Sequence, residues 1–376
     1  VACVERATRG RCMLVKHYPL LAIFICGVGV SCTTGAQGAT PTTRPAASRA
    51  PAAKGTYVTR YVNRPAAYFA TPAGREIVDH IISWQTPVGG WSKAYDVRKP
   101  HVAGTPFGPE WGGMATIDNG ATHSELLILA EAESVDPRPQ TLAAFNRGLD
   151  CALAYQYANG GWPQRFPPAG AGYREAYGAH ITFNDNAMTD LMKVLRDIGA
   201  GQPTYAFVDA SRRGKAHAAY EKGIDCILKC QIVVNGKLTG WCAQHDAQQF
   251  ATAAARTYEL PSLSGFEGAE ITELLMEIPN PDARVKKSVN AAAAWFASAK
   301  LTGIRLETVR DPATGVADRR LVKDPAAPPL WARFYDLKTE KPFFCGRDGK
   351  KKAKLADIER ERRAGYSWYG NWGTPL

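Results

Sequence analysis

Gln85-Thr-Pro-Val-Gly-Gly-Trp91, Gln156-Tyr-Ala-Asn-Gly-Gly-Trp162 and a looser third copy from Gln231 to Gly240-Trp241 decide the fold of this chain. Each follows a segment whose apolar residues recur at steps of three and four, the period of a helix with one face in a core. The tryptophans stand 71 and 79 residues apart, room for two helices and their loops each time. Glycine supplies left-handed backbone after a helix, and a tryptophan can plug the end of a bundle. Helical hairpins repeated at this period predict an all-α (mainly) fold, an α/α toroid with inner helices ringed by outer ones. Helices are expected around 75–85, 122–136, 140–156, 186–198, 213–231, 268–278 and 284–300. Beyond residue 301 the periodicity fades into Pro-rich loops and short extended pieces, a small irregular or β-containing C-terminal part. Its aromatic end, Tyr366 to Trp372, is expected to pack back on the body.

A second repeat is nested in the first. Thr116-Ile-Asp118-Asn119-Gly-Ala-Thr122 follows Trp91, and Thr182-Phe-Asn-Asp185-Asn186-Ala-Met-Thr189 follows Trp162. After Trp241 the matching stretch is read as Arg256-Thr-Tyr258-Glu259 through Ser264. Corresponding loops of a closed toroid emerge on one face, so Asp118, Asp185 and Arg256 are expected around one opening. Taken singly, either aspartate suits a helix N-cap; as a pair they could offer carboxylate oxygens to a hard cation such as calcium. Arg256 has an ion pair with a nearby acid as its plain reading, and His123 a structural hydrogen bond. There is no phosphate loop, nucleophile elbow or His-Glu-x-x-His helix.

The formal net charge is +11, and +8 remains once residues 1–38 are set aside. Such a surface suits a polyanion, yet no dense Lys/Arg helix or zinc-finger spacing points to nucleic acid. Lys16 and His17 precede an apolar run, Leu20 to Val30, that is too short to span a bilayer. Residues 1–38 therefore read as an export signal, with 1–12 a mis-called start before Met13. Residues 39–57 form an Ala/Pro/Thr linker and 58–376 the functional domain. Cys32, in Val-Ser-Cys, offers a weak lipoprotein cleavage site. Cys226, Cys230, Cys242 and His245 can be drawn as a zinc site, but buried free thiols on an apolar helix are the favoured reading.

Five stretches in order, 116–123, 159–164, 181–188, 255–262 and 333–336 with 344–349, resemble the family 10 pectate lyases. The likeness spans roughly 60 to 372. It implies an (α/α)3 toroid and calcium-assisted β-elimination of polygalacturonate. Arg256 matches the Brønsted base, Asp118 and Asp185 the acids associated with calcium, and Arg347 an arginine that binds a substrate carboxylate. Asn119 and His123 are assigned to substrate binding. The implied protein is exported, to the periplasm, cell surface or medium, and monomeric. Calcium and Arg347 are expected to push the Arg256 pKa down, with Lys93 and His123 as alternative bases. Rival readings are a non-catalytic polysaccharide binder, a hydrolytic glycosidase and a terpene or prenyl enzyme on a similar toroid.

Overall fold

The computed structural model describes residues 57–109, 111–168 and 176–376. The export signal, most of the linker and Cys32 lie outside them. Helices α1 (Ala66–Phe69), α2 (Pro72–Ser83), α3 (His123–Val135), α4 (Pro139–Ala154), α5 (Ala187–Gly199), α6 (Ala210–Cys230), α7 (Glu267–Met276), α8 (Ala283–Ala299) and α9 (Arg360–Gly365) follow in order. The seven expected helices are α2 to α8.

They pack in two layers. In one, α2 touches α4, α4 touches α6 and α6 touches α8; in the other, α3 touches α5 and α5 touches α7. The pairs α3–α4, α5–α6 and α7–α8 join the layers. Residue pattern explains the sorting. Helix α3 buries His123, Ser124, Glu125, Leu126, Ile128, Leu129 and Ala130, nearly all round. Helix α8 buries one stripe, Val285, Ser288, Ala292, Trp295 and Phe296, and gives its other side to water. In the exposed layer, Thr71, Asp209 and Asp282 cap α2, α6 and α8 with their side chains. Helices α3, α5 and α7 carry no side-chain cap.

The glutamines of the repeat are connectors. Gln85 Nε2 donates to Ala144 O of α4, Gln156 Nε2 to Ala219 O of α6, and Gln231 Nε2 to Ser288 O of α8, at 2.8, 2.8 and 3.0 Å. Each tryptophan is fully buried, and its indole N–H donates to Ile81, Ala152 or Ile227. Gly89 (φ 102°) and Gly160 (φ 94°) take the left-handed region, but in the turn past the helix rather than at its C-cap. A Cβ on Gly160 would lie 1.9 Å from Lys222 O.

Trp331 is a fourth member of the series, unseen in the sequence because Pro-Leu replaces Gly-Gly before it. Its indole donates to Phe296 O at 2.9 Å. Short antiparallel pairs pass from each unit to the next: 115–116 with 165–166, 181–182 with 244–245, 263–264 with 334–335. The C-terminal part adds a hairpin of Ile304–Arg310 with Ala317–Lys323 and a second core of Trp295, Phe296, Trp331, Phe334, Phe344, Tyr366 and Trp368. The aromatic end thus packs on the body as expected, with Trp331–Ala332 paired to Tyr369–Gly370.

Candidate active site

The tryptophan carbonyls set the true register of the nested repeat. Trp91 O accepts from Thr116 N, Trp162 O from Thr182 N and Trp241 O from Ser264 N, at 2.9, 3.1 and 2.7 Å. The third counterpart of Thr116 is therefore Ser264, and the stretch from Arg256 is an approach to it. In the first two units a 3-10 turn follows, Asp118–Gly120 and Asn184–Asn186. The first left-handed residue of each turn is Asn119 (φ 53°) or Asp185 (φ 50°), followed by Gly120 or Asn186, so Asp118 matches Asn184, and Asp185 matches Asn119. Glu267 takes that place in the third unit.

Neither aspartate caps a helix; Thr122 and Asn186 stand at those positions. Asp118, 2% exposed, accepts from Lys93 Nζ at 2.6 Å and from Asn119 Nδ2 at 2.8 Å. Asn184 Nδ2 bridges Asp118 Oδ1 and Asp185 Oδ2, at 3.4 and 3.1 Å. Asp185 receives Arg333 at 2.9 Å, and its backbone N–H donates to Glu267 at 3.2 Å. Arg333 also donates to Glu267, whose other oxygen accepts from Ser264. Lys93 and Arg333 hold the same place, second after Trp91 and Trp331, and each brings a cation to these carboxylates. Sequence reasoning missed Arg333 and Glu267; the Trp-x-Lys and Trp-x-Arg pattern was the available signal.

The chain of contacts runs on to Arg256. The Arg333 guanidinium lies 4.8 Å from the centre of the Tyr366 ring. The Tyr366 hydroxyl donates to Glu259 Oε1 at 2.8 Å, and Arg256 Nε donates to Glu259 Oε2 at 2.7 Å. Arg256 lies over the Tyr258 ring at 5.0 Å and keeps 39% of its side chain exposed. Lys93, Asp118, Asn184, Asp185, Arg333, Tyr366, Glu259 and Arg256 are thus linked without a break.

Burial works to lower the Arg256 pKa, but the hydrogen-bonded Glu259 carboxylate outweighs it and holds the group above its ordinary value. Of the depression expected from calcium and Arg347 together, the Arg347 part is outweighed here by Glu259. Arg347 is instead an exposed side chain in a two-pronged pair with Glu361 of α9, at 2.8 and 3.1 Å. Its charge acts with those of Arg256 and Arg362 on Tyr258, opposing the rise that burial gives the phenol pKa.

His123 does not join this network. Its ring is buried, with Nε2 3.7 Å from Asp190 of α5, and burial lowers its pKa. The zinc alternative also fails. His245 Nε2 accepts from Cys242 N–H at 3.1 Å, which leaves Nδ1 to donate to Phe250 O at 2.8 Å. The five cysteines among the described residues are buried and free.

The residues from Gln85 to the C-terminus match the family model for pectic acid lyase. The chain belongs to the pectic acid lyase family. It is a polysaccharide lyase, similar at 34% identity to the family 10 polysaccharide lyase from Cellvibrio cellulosa. That likeness covers 85% of this chain and 94% of the other, with a TM-score of 0.70. An alanine mutant of the Cellvibrio enzyme in complex with trigalacturonic acid matches to the same extent. No curated protein sequence matches. Among the described residues of this pectic acid lyase family member, no group of three or more His, Cys, Asp or Glu gathers to hold a metal. No helix among them is long and apolar enough to cross a membrane.

Proposed function

We propose that this lyase cleaves polygalacturonate by calcium-assisted β-elimination, with Arg256 as the base, giving 4,5-unsaturated products. The observation that carries the reading is the unbroken contact line from Asp118 and Asp185 to a half-exposed Arg256. The trigalacturonic acid bound by the Cellvibrio relative supports a galacturonan as substrate. We read the two helix layers as an (α/α)3 toroid, supported by the likeness to that enzyme.

The C5 hydrogen of a galacturonate is acidic because it is α to the C6 carboxylate. Its removal builds charge on that carboxylate while the C4 oxygen leaves. Asp185, 27% exposed, is the carboxylate best placed to share a hard cation with the substrate. Asp118, against Lys93, and Glu267, against Arg333, are buried and hold the turn around Asp185, which shares Arg333 but keeps an exposed edge. Calcium, where bound, would neutralise charge on the uronate carboxylate. Arg347 would exchange Glu361 for a substrate carboxylate, the same two-pronged pairing. Asn119, fixed on Asp118, would present the amide edge beside it.

Glu259 holds the Arg256 pKa above its ordinary value, so a base role makes the rate climb with pH into the alkaline range. An apolar run from Leu20 to Val30 supports export, and we read the enzyme as a monomer. The test is ultraviolet absorbance of unsaturated product from polygalacturonate, with calcium or a chelator, for the wild type and Arg256→Ala. Product that needs calcium and Arg256 is the expected result. Reducing ends without the new double bond would instead indicate a hydrolase.

A further inference from the structure

We propose that Glu259 is a positioning residue of the reaction, fixing the Arg256 guanidinium, and that Tyr366 fixes Glu259 in turn. The proposal rests on Arg256 being the base and deepens that reading. Arg256 and Glu259 are three residues apart, on a turn closed by Glu259 N–H to Arg256 O at 2.7 Å. The Glu259 side chain, 7% exposed, grips Arg256 from two sides: Oε1 takes one terminal nitrogen, and Oε2 takes Nε and, at 3.2 Å, the Arg256 backbone N–H. A planar fork held at both prongs has its plane set by its partner. A guanidinium that must reach one hydrogen of a sugar needs that plane fixed in advance, because a displacement of about 1 Å can cost roughly 100-fold in rate.

The second contact makes this more than a local ion pair. Tyr366 lies far along the chain, yet its hydroxyl donates to Glu259 Oε1 while its ring lies against Arg333, which holds Asp185 and Glu267. The Asp185 and Glu267 carboxylates and the base are therefore tied to the same phenol.

Glu259 faces Arg256, Arg333 and Tyr366. Arg256 faces Glu259, Tyr258 and Tyr366, and Tyr258 also meets Arg362 and Arg347. Among these, Glu259 is the carboxylate in contact with Arg256. Neutralising it should make Arg256 easier to deprotonate, even as it loosens the guanidinium. The two effects separate in the pH profile, which a merely structural role would leave in place.

The experiment follows unsaturated product from polygalacturonate between pH 6 and 11, with saturating calcium, for wild type, Glu259→Gln, Tyr366→Phe and Arg256→Ala, alongside thermal melting. Glu259→Gln keeps the shape of the side chain, and Tyr366→Phe keeps the ring on Arg333. Expected are a kcat for Glu259→Gln lowered about 10- to 100-fold with KM within about two-fold, and a rise in rate that begins at lower pH. Tyr366→Phe should move in the same direction by a smaller factor. Wild-type kcat and pH profile in folded Glu259→Gln, with Arg256→Ala inactive, would overturn the positioning role and leave the base assignment standing. Activity retained by Arg256→Ala would overturn the base assignment itself.

Discussion

Glu125 shows how far one buried side chain can set the conditions under which the protein is stable. Its carboxyl sits in the first turn of α3, accepting the Tyr95 hydroxyl at 2.9 Å, and burial raises its pKa to about 8. The folded protein binds this proton more tightly than the unfolded chain. The stabilisation is therefore whole below about pH 4.5 and is lost as pH climbs toward 8, by an amount on the order of a few kcal/mol. Glu125→Gln should leave the melting temperature near pH 5 almost unchanged and raise it at pH 9, measured by circular dichroism. The Lys93–Asp118 pair makes a second case. Asp118→Ala removes the carboxylate held 2.6 Å from the Lys93 ammonium and should lower stability, whereas replacing both members by apolar residues of similar size should restore much of it. Residues of this kind were only half legible in the sequence. Asp118, Asp185 and Arg256 stood out because they sit in motifs. Glu259 read as an ion-pair partner at most, Arg333 was marked only by its place second after Trp331, and Glu267 and Tyr366 carry no local mark. They matter through neighbours that lie far off in sequence, such as Arg333 and Asp185.

The helical elements were the most legible, since α2 to α8 fall on the expected segments and the glutamine and tryptophan of each unit prove to be hydrogen-bonded in equivalent ways. What misled was alignment by residue type. Matching Asp118 to Asp185 slipped the register by one, and matching Arg256 to both overlooked Ser264, because what repeats is a backbone contact to the tryptophan carbonyl. Glycines divide the same way. Gly160 has φ 94° and no room for a methyl group, while Gly240 has nothing nearer than 3.4 Å to a new Cβ. Gly160→Ala should lower stability by more than about 1 kcal/mol, and Gly240→Ala should stay within about 0.5 kcal/mol, both measured by denaturant unfolding.

Across the whole molecule, the +8 that remains beyond residue 38 suits an anionic polymer as partner. Raising salt from about 0.05 to 0.5 M shrinks the reach of surface charge severalfold, so KM for polygalacturonate should rise while kcat changes little. Equal KM values at both salt levels would remove charge from the account of substrate capture. The charge was plain in the sequence; its pairing was not, since Arg347, Arg362 and Arg363 are each bound to an acid. The edge pairing of each unit with the next has a further consequence. During synthesis, a chain released only as far as Gly199 would display the strip 181–182 with its partner at 244–245 still unmade. The last such partner, 369–370, follows its strand at 331–332 only after the rest of the C-terminal part between them. The edge contacts of the native state must therefore be completed one unit behind the chain as it is made, each strip waiting for the unit that follows it.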